Sequence, residues 1–251
     1  MVADQLYKKK IVSLIVQARI GSKRLPKKTI LPLAGKPLIY RIMERLKYVK
    51  CVDNLILAIP NTNKDKEILK IKFDKKVKIF RGSENNLISR YYFAAKKFKT
   101  DVVVRFPGDN CIPDPIEINR LIKFYLSKKK DFFATNIMNV FKNGYPDGIG
   151  AEIFSFKFLE ELMKKKVSKK RKEHIHLNFL DYEKNKAVNS KWCQVKTIKC
   201  PIKIRRPEIS LDVNTKSQYL FIKNIYKKLY NKKFFFSTKD VIRLINQQKK
   251  V

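Results

Sequence analysis

Five short apolar runs recur along the first 139 residues, with helical patterns between them. The runs are IVSLIV (11–16), NLILAI (54–59), VKIF (77–80), DVVVRF (101–106) and DFFATNI (131–137). Leu38, Ile39, Ile42, Met43, Leu46 and Val49 fall on one face at helical spacing, and Ile118, Leu121, Ile122 and Tyr125 on another. Residues 65–73 and 85–98 also read as helices. Strands that are apolar on both faces, alternating with helices, leave few folds open. The pattern calls for a mostly parallel sheet covered by helices on both sides, a three-layer α/β/α sandwich.

Past residue 139 the alternation loosens. FKNGYPDGIG (141–150) is a Gly/Pro turn region. Strands are expected at 151–156, 191–199 and 208–213, and helices at 155–164, 171–184, 215–230 and 237–247. No internal repeat or long linker divides the 251 residues, so the reading is one domain over 1–251. Its two halves are 1–139 and 140–251.

The chain carries 58 Lys and Arg against 22 Asp and Glu, a net charge of +36. The lysines are scattered, with triplets at 8–10, 128–130 and 164–166, and glycine is scarce. That is the signature of compositional drift; a basic nucleic-acid-binding protein is the alternative, supported only by the lysine and aromatic mixture NKKFFF (231–236). No apolar run reaches membrane-spanning length and no secretory leader is visible, which places the chain in the cytoplasm by default. The four cysteines form no C-x-x-C pair and are expected as buried thiols.

In open α/β sheets ligands bind at the carboxyl ends of the strands. Directly after the first strand comes VQARIGSKRLPKKTI (16–30), with five cations in ten positions. It has neither the P-loop nor the dinucleotide glycine spacing. Gly21 and Ser22 allow close backbone approach and the side chains supply charge, which suits a tri- or pyrophosphate. At the same edge, VVRFPGDNCIPDP (103–115) offers Asp109 and Asp114. A carboxylate beside a polyphosphate holds a divalent cation, or it caps the next helix; both readings stand on the sequence alone.

ARIGSKRLPKKTI with LAGKPLIYRIMERLK resembles the signature of the sugar cytidylyltransferases, which include the 3-deoxy-manno-octulosonate and acylneuraminate cytidylyltransferases. The resemblance is nearest to the spore-coat polysaccharide branch. It continues through GSENNLISRYYFAAK, VVRFPGDNCIPDPIEI, YPDGIGAEIFSF, KEHI and LDVNTKSQYLFIKNIY. It implies a fold of the nucleotide-diphosphosugar transferase type, nucleotide binding by the 1–139 half and acceptor binding by the 140–251 half. The implied reaction is transfer of CMP from CTP to a sugar or sugar acid with release of pyrophosphate, for a surface glycan.

By the same resemblance Arg19 and Lys28 are the catalytic phosphate ligands. Ala18, Gly21, Ser22, Arg24 and Pro107 match nucleotide-binding positions, and Arg81 and Arg90 flank a loop within reach of the nucleotide. Asp147 and Glu152 are candidates for the acceptor. Asp109 matches a ligand of Mg2+, the implied cofactor, and relatives imply a homodimer. Three positions depart from the pattern. Pro107 stands where relatives carry Gln or Thr, and Gly150 where they carry an acid. Asn214 stands where they carry a second metal-binding Asp. Asp212, two residues earlier on an extended chain, lies on the same face and is a substitute ligand. A nucleotidyltransferase using another NTP or a non-sugar acceptor remains the alternative enzyme.

Overall fold

The computed structural model describes residues 9–22, 24–230 and 235–248. Lys8 of the first triplet, Lys23 of the basic loop and residues 231–234 of NKKFFF lie outside them. In chain order the elements are β1 (Val12–Gln17), β2 (Pro32–Leu33), β3 (Lys36–Pro37), α1 (Leu38–Leu46), β4 (Asn54–Pro60), α2 (Lys66–Leu69), β5 (Val77–Gly82), α3 (Leu87–Lys97), β6 (Val102–Pro107) and α4 (Pro115–Leu126). Then follow β7 (Phe133–Thr135), β8 (Glu152–Ser155), α5 (Phe156–Lys164), α6 (Lys169–Glu173), β9 (Leu180–Asp181), β10 (Lys186–Ala187), β11 (Val195–Lys196), α7 (Lys216–Tyr230) and α8 (Thr238–Gln248).

Seven strands form one sheet in the order β11-β7-β8-β6-β1-β4-β5. β1 pairs in parallel with both β4 and β6, and β4 with β5. β8 runs antiparallel to both its neighbours, and β7 and β11 are parallel to each other. The sheet therefore continues from the first half of the chain into the second. The switch point falls at β1, flanked by strands that leave in opposite directions along the sheet, and it is there that an open α/β sheet holds its ligand.

The two faces of β1 explain the layers. Leu14, Val16, Ala18 and Ile20 belong to one buried cluster, which holds residues of α1, α4, α7 and α8. Ile15 belongs to the other, with Leu87, Ile88 and Tyr91 of α3 and Phe158, Leu159 and Leu162 of α5. Burying each such side chain is worth about 1.5–3 kcal/mol, so helices with one apolar stripe are held against both faces. Local signals agree. Asn86 caps α3 by accepting from the Ser89 amide at 3.0 Å, and Asp114 caps α4 with Pro115 in its first turn. Each cap contributes about 1 kcal/mol.

Two expectations are corrected. The helix expected over 171–184 stops at Glu173, where His174 takes φ −125° and ψ 84°; Leu180–Asp181 then pairs antiparallel with Lys186–Ala187. Its apolar residues Ile175, Phe179 and Leu180 are buried at the end of the α3–α5 layer instead of along one helical stripe. Residues 208–213 form no strand. They thread between two loops, making single bridges from Ser210 to Asp147 and from Asp212 to Asn110.

Candidate active site

The basic loop leaves β1 at its carboxyl end and is fixed by buried partners. Asp65, fully buried, accepts from the Ile20 amide at 2.8 Å, and Thr29 Oγ1 donates to the Arg19 carbonyl at 2.6 Å. Lys27 adopts a left-handed backbone, φ 54°, which turns the chain so that Lys28 points back under the loop. Gly108, after β6, has its Cα against the Gln17 carbonyl and Ala18; a Cβ there would collide with that backbone. The exits of β1 and β6 are thereby brought together.

Lys28 is the centre of what converges. Its Nζ donates to Asp109 Oδ2 at 3.2 Å, to the Val213 carbonyl at 2.7 Å and to Asn214 Oδ1 at 3.3 Å. Arg24 donates to the same Asn214 oxygen at 2.7 Å. The Asn214 amide in turn donates to Asp212 Oδ2, and Asp212 Oδ1 accepts from Ser210 and from Gln218. Backbone bonds hold this together, with the Val213 amide on the Asp109 carbonyl and the Leu211 amide on the Asp147 carbonyl, both at 2.9 Å. Gly148, at φ 94°, lets residues 147–148 pass against the backbone of 211–212, where a Cβ would come within 2.8 Å.

The result is an acidic cluster on the α7 side of the sheet edge. Asp147 is pushed up to about 7, first by burial and then by the neighbouring Asp212 and Asp109 carboxylates. A cluster of like charges this tight favours a cation. Among the described residues no set of three or more His, Cys, Asp or Glu side chains is arranged as a complete metal cage. Two carboxylates, Asp109 and Asp212, nevertheless fit a hard divalent ion that takes its remaining ligands from phosphate and water. Asn214 fits less well, because its carbonyl oxygen is engaged by Arg24 and Lys28.

The opposite side of the same edge carries different chemistry. Arg19 follows Gln17 by two residues on extended chain and so faces the α3 side, away from Lys28. It is exposed, and its guanidinium has no partner among the described residues. Below it runs a row of polar side chains across four strands. Arg105 Nε donates to Gln17 Oε1 at 3.1 Å, Arg105 is ion-paired with Glu152, and Tyr182 donates to Glu152 Oε1 at 2.6 Å. Tyr182 and Thr135 share a hydroxyl contact at 3.0 Å.

Glu152 is fully buried in that row, with both oxygens engaged, and acts as a strut between strands with nothing open to an acceptor. Arg90 is 3% exposed and holds the Ser83 and Glu84 carbonyls at 2.8 and 3.0 Å; burial lowers its pKa to about 10. It shapes the 82–86 loop. Among the described residues Arg81 donates to the Thr62 carbonyl alone, at 3.4 Å. Pro107 is buried at the end of β6, paired in register with Gln17. Gly150 packs its Cα onto the Asn136 carbonyl and side chain, so a side chain there has no room. Asp114, expected as a helix cap, caps α4. Sequence reading missed Asp65, Gln17, Arg105 and Tyr182; only Gln17 and Arg105 lay in the quoted motifs, and nothing in their spacing marked them.

Comparison with known proteins agrees with this arrangement. Residues 13–183 match the model of a protein family described as cytidylyltransferase. The chain is 33% identical over 161 residues to an uncharacterised protein of Methanocaldococcus jannaschii, a match spanning 64% of this chain and 63% of that one. It is 29% identical over 239 residues to the spore coat polysaccharide biosynthesis protein SpsF of Bacillus subtilis, covering 93% of each. A solved cytidylyltransferase structure from Leptospira borgpetersenii superposes with a TM-score of 0.80 at 26% identity, over 96% of both chains. The matched segment runs from the basic loop through Asp109, Asp147 and Glu152, and on this footing the chain belongs to the cytidylyltransferase family.

Proposed function

We propose that this protein transfers CMP from CTP to the hydroxyl of a sugar acid, releasing pyrophosphate, to activate a building block of a surface glycan. One observation carries the reading. Lys28, Arg24 and Arg19 stand at the exit of β1, and Lys28 lies against a pair of carboxylates at the switch point of the sheet. Two cations, Lys28 and Arg24, beside two metal-competent acids, with Arg19 on the other flank of the same edge, are what a triphosphate needs. In this reading the 1–139 half holds the nucleotide and the 140–251 half contributes to the acceptor.

The acceptor oxygen attacks the α-phosphorus and pyrophosphate leaves from the opposite side. Little covalent work falls to the protein, and charge placement dominates. Lys28 leaves its contact with Asp109 to meet the phosphate oxygens, and Arg19 and Arg24 neutralise charge that grows on the departing pyrophosphate. Asp109 and Asp212 would hold a divalent ion, taken as Mg2+, which supplies charge neutralisation at the phosphates. Asn214 keeps Arg24 and Lys28 in register with Asp212. The same reading takes the enzyme to be cytoplasmic and homodimeric; no helix among the described residues is long and apolar enough to cross a membrane.

Pyrophosphate release from each of the four NTPs, with Mg2+ and 3-deoxy-manno-octulosonate or an acylneuraminate as acceptor, tests the reading. Release with CTP above the other three supports it. Release with a different NTP instead, or binding of no NTP at all, overturns it.

A further inference from the structure

We propose that Gln17 is a substrate-contacting residue whose side-chain amide is locked as a hydrogen-bond donor and meets the carboxylate of the acceptor. This rests on the transferase reading above and deepens it. The Gln17 carboxamide has one oxygen and one NH2 group. Its oxygen accepts from Arg105 Nε at 3.1 Å, and the Tyr91 hydroxyl, 3.2 Å away, shares its single proton between that oxygen and the Ile15 carbonyl at 3.1 Å. Arg105 Nε–H can only donate, which fixes which end of the amide faces inward. The NH2 group must therefore face outward, and it has no partner among the described residues although Gln17 is only half-buried.

The polar row keeps it there. Arg105 cannot swing, because its other arm is ion-paired with the buried Glu152, which Tyr182 holds in turn. Arg105 and Glu152 face one another in register across β6 and β8, and Thr135 faces Glu152 across β7 and β8. Four strands thus support one amide.

The surroundings of the NH2 group decide what it meets. Gln17 and Arg19 point to the same side of the extended chain. His174, exposed at the rim, is close enough to Arg105 and Arg19 that, after partial burial, their charges lower its pKa. Arg90 lies near Arg19 as well. Glu152, buried beneath this flank, has both oxygens occupied. Asp109, Asp147 and Asp212 lie on the other flank with Lys28. The edge is polarised, with oxygen ligands for a cation on the α7 side and an excess of donors on the α3 side, where Arg19, Arg90 and Arg105 outnumber the neighbouring Glu84 and Glu173 carboxylates. A flank with this excess of cationic donors beside a nucleotide site fits a second anion, and a sugar acid brings a carboxylate next to the hydroxyl that reacts. Phosphate oxygens of CTP have the same chemistry, so the test separates the two sources.

The Gln17 side-chain NH2 signals are followed by 15N NMR of the intact protein, identified by their loss in Gln17→Glu. CTP with Mg2+ is titrated first, then 3-deoxy-manno-octulosonate. The expected result is a shift on adding the sugar acid. A shift with CTP alone, or with neither ligand, overturns the proposal. Failure of CTP to bind at all is read in the first titration and overturns the transferase reading instead. Gln17→Glu keeps an oxygen for Arg105 and Tyr91 but replaces the NH2 with a carboxylate oxygen. It is expected to raise KM for the sugar acid at least tenfold and leave the Kd of CTP within twofold. Equal weakening of both, as a distorted loop would give, overturns the proposal.

Discussion

Lys28 Nζ and Asp109 Oδ2 stand 3.2 Å apart, joining the exits of β1 and β6 across the edge of the sheet. The lysine side chain is 11% exposed and the aspartate 32%. All three ammonium protons are donated, to Asp109, Val213 and Asn214. The pair is accessible on its acidic side, so it contributes modestly to stability, about 1 kcal/mol or less. Its value lies in placing a cation at the phosphates.

Lys28→Met keeps the apolar stem and removes the charge. Losing one preorganised donor to developing charge costs about 10²–10³ in rate. The expected outcome is a fall of at least that order in kcat/KM for pyrophosphate release from CTP, with a thermal midpoint within a few degrees of the parent. A variant of unchanged activity would remove Lys28 from the machinery.

Asn214→Asp should tighten divalent-ion binding. A unit charge at about 4 Å with an effective dielectric near 20 contributes up to ~4 kcal/mol. Partial exposure and competition from Arg24 and Lys28 for the new carboxylate reduce this to about tenfold in affinity, ~1.4 kcal/mol. Isothermal titration of Mg2+ or Mn2+ into the free protein reads it directly. Weaker binding in the variant would show that the amide carbonyl itself is the better ligand.

Glu152→Ala strips the partner from a buried arginine. Removing one member of a buried ion pair costs about 3–5 kcal/mol. The effect should appear as a lower urea midpoint, with the same loss whether or not nucleotide is present. A double change of Arg105 and Glu152 to apolar residues should cost less than Glu152→Ala alone. If Glu152→Ala altered only acceptor KM, the strut assignment would be wrong.

His176 sets a pH dependence. It packs its ring against Tyr182, and burial, reinforced by Arg105 and His174, lowers its pKa to about 4. The unfolded chain takes up this proton near pH 6.5, the folded chain only near pH 4. The stability contributed is full above pH 6.5 and is lost as pH falls from there towards 4. His176→Gln should flatten that part of the stability curve, measured by urea unfolding at a series of pH values.

Much of the fold was legible because its strands are continuous apolar runs and its helices carry single stripes, and those periods survive in any neighbourhood. The helix expected over 171–184 shows the limit. Its apolar residues are spaced for a helix, yet Ile175, Phe179 and Leu180 fill the end of a layer that only the assembled sheet defines. The site divides the same way. Lys28, Asp109 and Asp212 were readable from loop position and motif. That Arg19 faces the other flank follows from its place between Ala18 and Ile20, both buried in the cluster on the α1 and α7 side. The Gln17–Arg105–Glu152–Tyr182 row was not readable, since its members come from β1, β6, β8 and the turn between β9 and β10. Gly150 is explained only by the backbone at Asn136, which sequence cannot place beside it.

The most direct test of the account is calorimetric titration of CTP into the parent protein and into Lys28→Met, each with Mg2+ at physiological ionic strength. The expected result is saturable 1:1 binding to the parent, tighter than for ATP, GTP or UTP, and binding at least tenfold weaker in Lys28→Met. Equal affinity of parent and variant for CTP, or no binding of CTP to the parent, would contradict it.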